Sequence, residues 1–121
     1  MNVLHLALVP LMFAAVLSAK ADEHVHVGGY FCDTREDQVA FLRLRAKGEN
    51  EIMAANAVNE VAGKQSCADY ISVEVIPGRE RVEMSNGLVF KVQSFMFLPE
   101  NQERWAGTLF GSLEQVADKD I

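Results

Sequence analysis

The 121-residue sequence is short of cysteine, histidine, proline and tryptophan, and the first two shortages each remove a class of chemistry. Its only cysteines, Cys32 and Cys67, form no Cys-x-x-Cys motif, so a dithiol redox centre lacks its usual spacing. No histidine lies near enough in sequence to complete a four-ligand zinc site with them. The histidines, His5, His24 and His26, all stand near the amino terminus, which leaves a Ser-His-Asp or Cys-His arrangement without a base in the body of the chain. Carboxylates are plentiful, for example Glu80 with Glu83 and Glu100 with Glu103, but none sits in the apolar setting that a catalytic acid needs. Positive charge is scarce as well: 11 Lys and Arg against 17 Asp and Glu give a net charge of −6. That balance argues against nucleic acid and anionic membrane surfaces as partners, since both are held chiefly by clustered cations. A basic protein partner is compatible with it, and one such reading is an inhibitor of a basic cell-envelope hydrolase.

The one long apolar run covers residues 3–19 and is interrupted by His5, Pro10 and Ser18. At 17 residues it is short for a membrane-spanning helix, which needs about 20, and it ends in the small-x-small pattern Ala19-Lys20-Ala21. A secretory signal over residues 1–21 is the expected reading, with an uncleaved anchor as the competing one. Cleavage before Asp22 leaves no stable membrane span and a periplasmic or secreted chain in which ten cations face seventeen anions, a net charge of −7. An even cysteine pair in an oxidising compartment is expected to form a disulfide, Cys32–Cys67. Closing a loop of that length contributes about 4 kcal/mol on the chain-entropy account. Two buried thiols or a shared metal site are the alternatives.

The new amino terminus is where position alone creates chemistry. If Asp22 comes first, the free amine, the amide nitrogens of Glu23 and His24, and the His24 imidazole can enclose one ion in a plane, with His26 two residues on. A square of nitrogens suits Cu(II) or Ni(II). No other cofactor is expected. The competing reading is a frayed polar leader, common at chain ends.

Residues 22–31 therefore read as a leader with an edge strand around Gly28-Gly29, and residues 32–121 as one domain. Within it, Asp33 or Thr34 begins a helix with Val39, Leu42 and Ala46 on its apolar side, widened by Phe41 and Leu44, and with Arg35, Arg43, Arg45 and Lys47 exposed. This basic face is either a docking surface or a solvated one. Asn50 opens a second helix, whose face Ile52, Ala55, Val58 and Ala62 is broadened by Ala54, Ala57 and Val61, and Gly63 ends it. Asn56 and Asn59 share one side of that helix, where they bind either a ligand or neighbouring backbone.

Beyond Cys67 the period changes to two. Ile71, Val73 and Val75 alternate with Tyr70, Ser72 and Glu74, the pattern of a strand with one buried face. Pro77-Gly78 fits a type II turn, and a strand over residues 80–84 is expected to bury Val82 and Met84. Asn86-Gly87 is a strong hairpin signal. Residues 88–98 then form a long strand with one face of Leu88, Phe90, Val92 and Met96, apolar but for Ser94, and another that turns apolar only towards its end, at Phe95 and Phe97, implying cover of that end on both sides. Residues 104–110 return as a fourth strand, with Trp105 either in the core or on a binding surface, and residues 113–117 form a short final helix. The expected fold is α+β: two N-terminal helices packed on a small antiparallel three- to four-stranded sheet, with one disulfide.

Cys32-Asp33-Thr34, then Ala57-Val58-Asn59, then Cys67 before a β-rich half resembles a group of small secreted bacterial proteins with no assigned function. The resemblance spans most of the chain after residue 21. It implies export and a disulfide, and it supplies no catalytic residue. The function expected from the sequence is a small exported, non-catalytic binding or accessory protein that meets a protein or envelope component through its sheet face or a helix surface.

Overall fold

The computed structural model describes residues 23–112, in the order β1 (Val25–Phe31), α1 (Arg35–Ala46), α2 (Glu51–Ala62), β2 (Ala68–Ser85), β3 (Leu88–Phe97) and β4 (Gln102–Ser112). The four strands form one antiparallel sheet in the order β1-β2-β3-β4. The fold is α+β, but the expected order of elements is corrected: the helices are not N-terminal. They are inserted between β1 and β2, because Val25 and Val27 are cross-strand partners of Val75 and Val73 and pack with them against a buried cluster. The register shifts between Val27 and Gly29. Gly28 lies so close to the Ile71 carbonyl that a Cβ would collide with backbone, and Gly29 takes a φ of 120°, so both glycines have steric reasons to be there.

β2 organises the sheet by serving two partners. Ala68 to Val75 pairs with β1, whereas Val75 to Ser85 pairs with β3. The expected type II turn at Pro77-Gly78 does not form, and the two short strands predicted there are one long strand. Gly78 has no positive φ; its missing Cβ makes room for Ser94, and the register shifts between Pro77 and Glu80. A bulge tolerates proline where a regular central strand does not. It lets the β1 arm fold back, so that Phe31 of β1 meets Phe95 and Phe97 of β3 at ring centroid separations of 5.5 and 5.0 Å. Rings two strands apart can touch only over a concave face. The closure is completed at Cys32, whose N–H donates to the Trp105 carbonyl (2.9 Å) while the Trp105 N–H donates to the Cys32 carbonyl (2.8 Å). Asn86 and Gly87, at φ 51° and 78°, make the predicted hairpin turn.

The alternation of β3 divides the core in two. Phe90 and Val92 face the helices with Phe41, Leu42, Ala54, Ala55, Val58 and the disulfide, while Phe97 faces the concave side with Phe31 and Val75. At the far end of β3 the folded-back β1 arm covers Phe95 and Phe97, whereas Met96 on the other face is half-buried and the helices pack further back, on Phe90 and Val92. α1 buries Gln38, Phe41 and Leu42, a tighter stripe than expected, and leaves Ala46 exposed. α2 buries Ala54, Ala55 and Val58 but exposes Ile52 and Val61. Its small residues let it sit close to the base of the insert.

That base is stapled by Cys32–Cys67, with a Cα separation of 4.0 Å. The cysteines flank the last β1–β2 pair, Phe31 with Ala68, so the bridge closes the helical insert where it leaves the sheet. Asn59 supports it: its amide oxygen accepts from the Cys67 N–H (2.7 Å) and its amide nitrogen donates to the Cys67 carbonyl (2.9 Å). Thr34 caps α1 by accepting from the Asp37 N–H, and Asn50 caps α2 by accepting from the Met53 N–H. Gln38, with its amide turned to suit its neighbours, donates to the Trp105 carbonyl and accepts from the Gly107 N–H. This amide ties α1 to the edge of β4. The predicted signal over residues 1–21 and the predicted helix over residues 113–117 lie outside the described residues.

Candidate binding groove

α1 and α2 form an antiparallel hairpin, and a groove of about 450 Å³ runs between them. Its floor and walls are Ala40 and Leu44 of α1 and Ala57, Val58 and Val61 of α2. The alanines keep it open, since a longer side chain at either position would fill it. Val61 is 91% exposed, which is unusual for a valine on a helix that already has a buried face. Both ends are charged but differ in availability. At one end the Asp37 carboxylate accepts a 2.6 Å bond from Ser66 Oγ, which in turn accepts from the Asp33 N–H. At the other end stand Arg43, Lys47 and Asn86.

Arg43 is aimed by the fold. Its Nη1 donates to Ser85 Oγ at 3.1 Å, a contact with no charge to neutralise it. Lys47 has no ion pair or hydrogen bond from its ammonium group among the described residues. The groove therefore presents an apolar trench with unneutralised positive charge at one end. Its volume falls within the range of small-molecule sites.

A second charged cluster is ion-paired within the fold, although the buried Nε of Arg104 makes no hydrogen bond among the described residues. The Arg104 guanidinium lies over Phe97 (4.7 Å) and Tyr70 (5.4 Å). Its Nε is 3.4 Å from Asp33 Oδ1 and its Nη1 3.4 Å from Glu100 Oε2. With its side chain only 13% exposed, Arg104 caps the aromatic cluster and anchors β4 to the segment after Cys32. Lys64 adds a further ion pair to Asp33 (3.3 Å).

The residues singled out in the sequence are scattered by the fold. Asp22 lies outside the described residues. Glu23 and His24 are exposed, and His24 Nδ1 is 2.9 Å from Glu74 Oε2, the residue that pairs across the strands with His26. Among the described residues no group of three or more His, Cys, Asp or Glu is placed to hold a metal ion. Glu80 and Glu83 point to opposite faces of β2, because an odd spacing in a strand reverses the side chain. Glu100 pairs with Arg104, away from Glu103. Asn56 is exposed, while Asn59 serves the Cys67 backbone. Trp105 packs against the helix-side core, with Arg35 6.0 Å from its ring centroid.

The groove itself was only half visible in the sequence: Arg43 and Lys47 stood out as a basic face, but Leu44, Ala57 and Val61 read as core. The missed signal is that α2 carries more apolar residues than one buried stripe can use. Comparison with protein-family models, curated proteins and solved structures finds no match.

Proposed function

We propose that this is an exported, non-catalytic binding protein whose ligand is an amphiphile with a single anionic head and an apolar body, held in the groove between the helices. The observation that carries the reading is the pairing of an apolar trench with Lys47 and Arg43 at one end, neither cation neutralised by a described carboxylate. The apolar body covers Leu44, Val58 and Val61, and the head reaches the two cations. Export is supported by the disulfide, by the apolar run over residues 3–19, and by the fact that no described helix is long and apolar enough to cross a membrane. A non-catalytic role is supported by the separation of the described histidines from the groove and the pairing of His24 with Glu74.

The test uses two detergent monomers of equal chain length and opposite head charge, dodecanoate and dodecyltrimethylammonium, titrated calorimetrically below their micelle concentrations. Dodecanoate is expected to bind with one-to-one stoichiometry and the cationic homologue at least about tenfold more weakly, as expected when a partly buried charge pair is replaced by a like-charge contact. Lys47→Glu is expected to remove that preference while costing only about 1 kcal/mol of stability, since Lys47 is exposed but caps the C-terminus of α1, where an anion is disfavoured. Equal binding of both heads, or an unchanged preference in Lys47→Glu, overturns the proposal.

A further inference from the structure

Among the described residues, β2 beyond Val75 has a strand partner on one side only. Glu80 to Ser85 pairs with β3, and β1 does not reach that far. This segment is therefore a free edge inside an otherwise folded-over sheet. Such edges are normally blunted by charge or proline, and here Arg79-Glu80-Arg81-Val82-Glu83 carries charges of both signs.

The order of those charges selects one partner. When an edge pairs antiparallel with a second copy of itself about a two-fold axis normal to the sheet, residues equidistant from the axis face each other. An axis at Arg81 sets Arg81 against its own copy, and an axis at Glu83 sets Glu83 against its own copy; both oppose like charges. An axis at Val82 sets each Arg81 against the other copy's Glu83, Val82 against Val82, Glu80 against Met84 and Arg79 against Ser85. It is the register near the middle of the edge that turns both charged positions into attractive pairs, and opposite charges directly across strands stabilise a sheet.

The side chains are placed for it. Arg81 has no ion pair among the described residues and is exposed. Glu83 is held by Arg35 Nε at 3.1 Å and lines, with Glu36 and Val39, a trough of about 300 Å³ between α1 and the edge. Arg35 and Arg43 line the trough as well, so its charge is balanced, and Arg81 of the second copy would enter it beside Glu83, sharing that carboxylate with Arg35. On the opposite face Val82 and Met84, which the strand pattern predicts to be buried, are 60% and 67% exposed, and pairing would cover both.

We infer that residues 79–85 are a self-recognising edge through which two copies of this chain join into one antiparallel sheet about a two-fold axis at Val82. The inference does not depend on a ligand in the groove between the helices, although Arg43 of that groove also lines the trough and donates to Ser85 of the edge.

Sedimentation velocity across the micromolar range, at low and high salt, is expected to show a monomer–dimer equilibrium that weakens as salt rises. Arg81→Glu is expected to weaken it about tenfold or more, because two attractive pairs become two repulsive ones. Val82→Cys is expected to form an intermolecular disulfide under mild oxidation, its two Cβ atoms being about 5 Å apart in a direct cross-strand pair. Glu80→Cys is expected not to, because its symmetry mate lies about 13 Å along the edge. A monomer at every concentration, a dimer as tight in Arg81→Glu as in the parent, or equal cross-linking at both positions overturns the inference.

Discussion

Asn59 and Asn56 lie on the same helix and look alike in sequence, yet the fold assigns them opposite weights. Asn59 satisfies both the N–H and the carbonyl of Cys67, a residue only 1% exposed; Asn56 faces solvent. In Asn59→Ala two buried backbone groups lose their partners. Each such loss costs about 1–3 kcal/mol, offset by about 0.6 kcal/mol from the better helix propensity of alanine. The net expectation is about 3 kcal/mol of destabilisation. Asn56→Ala receives the same propensity gain with nothing to lose, so it is expected to be neutral or slightly stabilising. Asn59→Asp separates the two bonds, because a carboxylate still accepts from the Cys67 N–H but donates nothing to its carbonyl; an intermediate loss is expected. Urea unfolding followed by circular dichroism measures all three, and with a slope of about 1 kcal/mol per molar for a chain this small the Asn59→Ala midpoint should fall by about 3 M. The reasoning fails if Asn59→Ala costs less than about 1 kcal/mol, or if Asn56→Ala costs as much.

Two further outcomes test the staple and the concave core. Replacing both Cys32 and Cys67 with serine should cost about 4 kcal/mol through the loop it reopens, and reducing agent should lower the stability of the parent towards that of the variant; unchanged melting under reduction would show that the bridge does not hold the insert. Phe31→Ala should cost about 3–5 kcal/mol, since Phe31 is 2% exposed and meets Tyr70, Phe95 and Phe97 edge to face, and a loss below about 1 kcal/mol would mean that the β1 arm does not close on β3.

The parts of this fold that could be read from the sequence are those governed by local rules. Thr34 and Asn50 start their helices, Gly63 stops the second at φ 73°, and Asn86-Gly87 turns the hairpin; each depends on residues within one turn of itself. The strand reading failed at Pro77-Gly78 because the same dipeptide serves a turn or a bulge, and the choice was made by Ser94, which lies against Gly78 across the sheet. The edge strand with its bulge at Gly28-Gly29 was legible within residues 22–31, but its partner was not. Nothing within residues 22–31 says that Val25 and Val27 have partners some fifty positions away, at Val75 and Val73. Helix faces failed where apolar residues exceeded the surface available to bury them, as at Val61.

Net charge proved the weakest guide to a partner, and the reason is one of range. An excess of acid argues against anionic ligands only if the anions act at the site, but screening confines exposed charges to about 8 Å at physiological ionic strength. Here many acids are already committed: Asp33 to Arg104 and Lys64, Asp37 to Ser66, Glu74 to His24, Glu83 to Arg35, Glu100 to Arg104. Lys47, Arg79 and Arg81 have no such partner among the described residues. The scarce charge is thus the available one. It lies at two places, the end of the interhelical groove and the free edge of β2, where Arg79 and Arg81 alternate with Glu80 and Glu83 without forming an ion pair among the described residues. If an anionic ligand and a second copy are bound there, raising salt should weaken both interactions even though the protein as a whole is acidic, whereas binding driven by its net charge would require a cationic partner.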